Sequence, residues 1–119
     1  MTKTEIIELP KIFDPRGSLT VAEENKNIPF AFESITWLYG AHVETVRKGC
    51  TSKKGNKLFV ALSGSFNVEV VEEGEKMEWM LNHPFQGLWV KSDAIYTLSN
   101  FSNGAICLEI SSEGDAHAN

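Results

Sequence analysis

Two cysteines, Cys50 and Cys107, are too few for a disulfide framework in a chain of 119 residues. Free thiols fit a reducing compartment, so a cytoplasmic protein is expected. The three histidines, His42, His83 and His117, are scattered, and no His-x-His pair exists. A metal centre needs clustered imidazoles and carboxylates, so none is expected, and no cofactor either. No apolar run approaches the roughly 18 residues of a membrane span. The opening MTKTEIIELPK has no apolar core and does not read as a signal peptide. Basic residues are outnumbered, 11 Lys and Arg against 16 Asp and Glu, giving a net charge of −5. That balance argues against non-specific nucleic-acid binding. There is no GxSxG elbow, no P-loop, no internal repeat and no low-complexity tract. No segment holds a 3.6-residue apolar period long enough for a helix.

What remains is a pattern of short strands. Hydrophobic content is 42%, enough for one domain with its own core over residues 1–119. Leu58–Val71, LFVALSGSFNVEVV, reads as a hairpin: an apolar run, a Ser-Gly-Ser turn, then alternation with Phe66, Val68 and Val70 on one face. Glu72, Glu73 and Gly74 make the next turn, and KMEWML continues a three-strand meander. Before it come Thr4–Leu9, stopped by Pro10; an Asp-Pro-Arg-Gly turn; SLTVAEE; and FESITWLY. Ile28 and Phe30 are expected to tuck back as anchors. Glu44–Asn56 reads as a loop. After the meander come GLWV, AIYTL and AICLEI, the last with Ile106, Leu108 and Ile110 on one face. Residues 112–119 form a polar tail. Nine or ten short strands with Gly, Pro and Asn turns predict an all-β sandwich or barrel, with an antiparallel jelly roll favoured.

The chemistry-bearing residues are few. The 44–56 loop and Lys57 after it hold the only concentrated positive charge: Arg47, Lys48, Lys53, Lys54 and Lys57. Arg47 offers a bidentate fork for phosphate and the lysines offer point charges. Cys50, between Lys48 and Lys53, is the side chain there that can act as a thiolate. Trp37, Tyr39, Trp89 and Tyr96 lie in strands, where core packing competes with lining a stacking pocket. Arg16 in the Asp-Pro-Arg-Gly turn either binds a ligand or pairs with Asp14. Cys107, in an apolar run, reads as a buried small hydrophobe.

Taken together, FDPRGSLTVAEENKNIPF at 13–30, ITWLY, the Arg-led loop, LFVALSGSFNVEV, the Gly-Leu-aromatic-Val strand and NFSNGAICLEISS resemble the sugar 3,4-ketoisomerases that act on thymidine-diphosphate-4-keto-6-deoxyglucose. The resemblance runs from about Ile12 to Ser111. It implies an RmlC-like cupin barrel without metal, and a homodimer with the strand in residues 1–10 exchanged between subunits. It also implies a nucleotide-linked sugar as partner, bound inside the barrel, with no nucleic acid and no membrane involved.

The departures from that family bear on function. Its Arg-Gly-x-His-Ala-His-Lys loop falls on Arg47, Lys48, Gly49, Cys50, Thr51, Ser52 and Lys53. The arginine and the final lysine are kept; both histidines are replaced, by Cys50 and Ser52. The family's Tyr-Tyr pair falls on Thr36 and Trp37, and its later aromatic-His pair on Ile95 and Tyr96. Moving a ketone from C4 to C3 needs a base near neutrality for proton removal and return, and histidine supplies that. Serine does not; cysteine does so only as a thiolate. Tyr96 can donate a proton only if it points inward. Three readings stay open. The first is a nucleotide-sugar-binding relative, non-catalytic or altered in chemistry, using Arg47, Lys53, Ser52, Trp37, Arg16 and Trp89. The second is an isomerase using Cys50 and Tyr96. The third is a ligand-free barrel serving in assembly or regulation.

Overall fold

The computed structural model describes residues 4–51 and 55–112. They form eleven strands: β1 (Glu5–Glu8), β2 (Lys11–Ile12), β3 (Leu19–Thr20), β4 (Ser34–Leu38), β5 (Arg47–Cys50), β6 (Lys57–Ser63), β7 (Phe66–Glu72), β8 (Glu75–Leu81), β9 (Gln86–Val90), β10 (Ile95–Ser99) and β11 (Ile106–Ser111). A five-stranded sheet runs β1-β9-β6-β11-β4 and a four-stranded sheet β5-β10-β7-β8, with β2 and β3 as a separate ribbon. Every strand pairing is antiparallel. The all-β, jelly-roll class expected from the sequence is the one found. Among the described residues no helix is long and apolar enough to cross a membrane.

The two sheets face each other across one core. Phe59 and Ala61 from β6, Leu88 and Val90 from β9, and Cys107 from β11 meet Phe66, Val68 and Val70 from β7 and Tyr96 and Leu98 from β10. Alternate residues of the five-stranded sheet point the other way. There Leu58, Val60 and Ile110 form a second cluster, capped by Leu9, Ile28 and Phe30. Ile28 and Phe30 do tuck back, as the sequence suggested. This double coverage explains why LFVAL is a continuous apolar run: both faces of β6 are buried, whereas half-buried β7 alternates.

Three local expectations are corrected. Leu58–Val71 is not a hairpin: β6 pairs with β9 and β11, while β7 pairs with β8 and β10. The Ser63–Ser65 turn carries the chain from one sheet to the other. Gly64 takes a positive φ of 68° there, and a Cβ on it would lie 2.9 Å from the Ala105 Cα. Only the β7–β8 half of the meander is a hairpin, closed by Glu73 and Gly74, both at positive φ as a two-residue I′ turn requires. The 44–56 segment is not all loop, because Arg47–Cys50 is a strand along β10.

Candidate ligand-binding site

A cavity of about 210 Å³ opens between the two sheets where their edge strands β4 and β5 come together. Thr36, Trp37 and Leu38 of β4, Arg47 of β5, Leu98 of β10, and Cys107 and Glu109 of β11 line it. Strand alternation selects the lining residues of β5, β10 and β11. Arg47 pairs with Leu98 and Gly49 with Tyr96, so Arg47 and Gly49 face inward while Lys48 and Cys50 face out. Arg47 lines the cavity and makes no ion pair among the described residues. Burial pushes the Cys107 thiol up to about 12, with the Glu109 charge adding to the rise and Arg47 opposing it. Cys107 therefore stays protonated, with Arg47 and Glu109 lining the same cavity.

Behind the cavity lies a residue that the sequence reading counted only among the basic-loop charges. Lys57 is two positions before Phe59, on the same inward face, and its side chain is 0% exposed. Its Nζ donates to Glu109 Oε2 and, at 3.2 Å, to Ser111 Oγ. The Ser111 hydroxyl in turn donates to Glu109 Oε2 at 3.2 Å. The Tyr96 ring, 5.7 Å from Nζ, closes the site from the opposite sheet. Period-two alternation backward from Phe59 and forward from Cys107 was the signal that places Lys57 and Glu109 inside.

The other sequence-predicted residues separate. Trp37 sits at the rim, 60% exposed. Tyr96 points inward, as proton donation requires, but is packed against Phe59 at 4.9 Å and against Gly49, and does not line the cavity. Cys50 is exposed on the outer side of β5. Trp89 lies on the outer face of the five-stranded sheet against Phe30, its Nε1 donating to Asn56 Oδ1 at 2.9 Å. Arg16 grips Asp14 with two hydrogen bonds of 3.0 Å in an exposed turn, and that guanidinium holds the Asp14 carboxyl below its ordinary range. Ser52 and Lys53 lie outside the described residues. His42 and His83 are far apart in sequence and function locally: Glu44 N–H donates to His42 Nδ1, and His83 stacks on Phe85. Among the described residues no cluster of His, Cys, Asp and Glu has the makings of a metal site.

Known proteins place this geometry in context. The WxcM-like, C-terminal family model matches residues 2–116. The chain is 31% identical over 111 residues to the TDP-4-oxo-6-deoxy-alpha-D-glucose-3,4-oxoisomerase of Aneurinibacillus thermoaerophilus, covering 93% of this chain and 80% of that one. Its fold superimposes on the TDP-quinovose 3,4-ketoisomerase of Campylobacter jejuni with a TM-score of 0.91 at 28% identity, covering 99% and 92% of the two chains. A variant 3,4-ketoisomerase of Thermoanaerobacterium thermosaccharolyticum, solved in complex with TDP-4-keto-6-deoxyglucose, shares the fold with a TM-score of 0.90 at 24% identity, covering 96% and 83%. The two-sheet architecture, the cavity between the sheets and these matches lead to one conclusion: the chain belongs to the WxcM-like family of sugar 3,4-ketoisomerases and has the RmlC-like cupin fold.

Proposed function

We propose that the protein binds a nucleotide-linked sugar of the dTDP-4-keto-6-deoxyglucose type, with the sugar end entering the cavity between the sheets. One observation carries this reading: Arg47 faces the cavity and makes no ion pair among the described residues. A cavity-lining guanidinium that is not held in an ion pair is suited to a phosphate oxygen. The cavity, at about 210 Å³, is smaller than the roughly 300 Å³ and upward of a site enclosing a drug-sized ligand. It therefore takes the sugar ring and leaves the diphosphate and nucleoside at the mouth, beside Arg47 and Trp37. Replacing Arg47 by Met is expected to weaken TDP binding tenfold or more while leaving the melting temperature unchanged, since Arg47 is exposed. Calorimetric titration with TDP checks it. Equal affinity in both proteins would remove the diphosphate from this rim. The isomerase reading through Cys50 has less support, because that thiol faces away from the cavity.

The same reading includes a homodimer. The outer face of the five-stranded sheet carries exposed Ile35 and Trp37, followed by Tyr39. Beside them is a hollow of about 510 Å³ lined in part by Leu9, Leu62, Phe85 and Leu108. An apolar surface this continuous is unusual on a monomer. Residues 1–10 suit exchange, because β1 is an edge strand on β9 and the same pairing serves within or between copies. Light scattering is expected to give twice the 13.2 kDa chain mass; a monomer at micromolar concentration would refute the dimer.

A further inference from the structure

The geometry points to Glu109 as the proton-transfer group of the cavity, with Lys57 as its positioning residue. This rests on the sugar-binding reading above and gives that cavity a chemistry not supplied by Cys50 or by histidine. Three observations carry it. First, Glu109 is the one carboxylate among the described residues that line the cavity, and its side chain is 19% exposed. Second, its anchoring is one-sided. Lys57 Nζ and Ser111 Oγ both bond to Oε2, whereas Oε1 receives no hydrogen bond from the described residues. One oxygen is fixed and the other is left to the ligand. Third, the pair is not explained by stability. Burying an ammonium and a carboxylate together gives little or nothing over an apolar pair of the same volume. Such a pair in the middle of a hydrophobic core, opening onto a cavity, has the makings of a functional device.

A carboxylate is a competent base for a C–H bond next to a ketone when it is held in place. With a 4-keto sugar in the cavity, Glu109 Oε1 takes the proton from C3. The electron pair of that C–H bond forms the C3–C4 double bond, and the carbonyl oxygen takes a proton from solvent to give an enediol. Return of the proton from Glu109 to C3 regenerates the substrate. Delivery to C4, with loss of the O3 proton to solvent, gives the 3-keto sugar. Atoms and electrons balance with no oxidant or reductant. Lys57 and Ser111 hold Oε2 throughout, so the acid and the base forms occupy one position.

The test is proton NMR of TDP-4-keto-6-deoxyglucose with the full-length protein in deuterated buffer. Loss of the C3 proton signal measures exchange, and line-broadening of the thymine resonances measures binding. The wild type is expected to exchange C3. Glu109→Gln should slow exchange 100-fold or more while broadening persists. Glu109→Asp keeps a charge beside Lys57 and so keeps the fold; it should slow exchange at least tenfold with an unchanged melting temperature. Lys57→Met should slow exchange about tenfold at saturating sugar while line-broadening persists, because Oε2 loses the donor that holds it in place. Binding without exchange in the wild type would overturn the inference and leave the sugar-binding reading standing. So would exchange at the wild-type rate in Glu109→Gln or Glu109→Asp. Absence of both binding and exchange would overturn both.

Discussion

Replacing Glu109 by Ala is expected to cost about 3–5 kcal/mol of folding stability, because it takes from the sealed Lys57 ammonium the carboxylate to which it donates. Lys57 has no route to water: its side chain is 0% exposed, on the same inward face of β6 as Phe59 and Ala61 and next to the Tyr96 ring. Ser111 would remain as a partner at 3.2 Å, but a hydroxyl does not neutralise a charge. For a domain of this size the loss corresponds to a fall in melting temperature on the order of 10–20 °C. Removing the other partner should cost less. In Lys57→Met the orphaned carboxylate is still 19% exposed through the cavity and keeps the Ser111 hydroxyl. The double replacement Lys57→Met, Glu109→Leu should return to within about 1 kcal/mol of the wild type, since the apolar pair avoids the desolvation cost of both charges. Thermal melts of the four proteins check the ordering. A double variant as unstable as Glu109→Ala would mean that the ion pair is a net structural asset, and the argument for its functional retention would weaken.

The second large effect is at Gly49. A methyl group added there would clash first with Tyr96 Oη and would sit 2.6 Å from Cζ and 3.1 Å from Cε1. Tyr96 is only 5% exposed and is backed by Phe59 at 4.9 Å, so the ring cannot retreat without disturbing the core. Gly49→Ala is therefore expected to destabilise by about 1–3 kcal/mol, the usual range for overpacking. The strain falls on β5, whose neighbour Arg47 faces the cavity, so TDP affinity should fall as well. Combining Gly49→Ala with Tyr96→Leu should cost less than the sum of the two single changes, because the clash disappears with the ring. Additive costs in denaturant titrations would show that the Gly49–Tyr96 contact is not the source. Gly49 and Tyr96 form one fitted pair: the hollow left by the glycine is the space the tyrosine ring fills.

Much of the fold was legible in the chain. Alternation in FNVEVV, the Glu-Gly turn before the next strand and the tucked Ile28 and Phe30 are local consequences of side-chain period and turn chemistry, and the structure reproduces them. The family resemblance was carried by short stretches spread over nearly the whole length, and the matched residues 2–116 agree with that reach. What local pattern does not encode is which strand lies beside which. Leu58–Val71 has the run, the turn and the alternation of a hairpin. Yet its two halves pair with different sheets, because the Ser63–Ser65 turn docks on the Ser102 loop, where Ser65 N–H bonds Ser102 Oγ and Ser102 N–H bonds the Ser65 carbonyl, both at 2.9 Å.

The site divides the same way. Sequence named Arg47 as the charge for phosphate, since its chemistry is intrinsic, and the structure turns it toward the cavity. Sequence grouped Trp37, Trp89, Arg16 and Cys50 with it because strand aromatics and basic-loop residues are the usual lining of such barrels. Only the tertiary structure distributes them, to the rim, to the opposite sheet face, to a surface turn and to the outside of an edge strand. Lys57 was counted with the basic-loop charges offered to a phosphate. It is sealed because β6 lies in the middle of the five-stranded sheet with its inward face against β7 and β10, and that placement depends on residues far away in the chain. By itself the sequence determined residue chemistry, strand period and family. Which charges meet inside the barrel was decided by the packing of the two sheets, since alternation assigns a side chain to a face but only long-range pairing says what that face will meet.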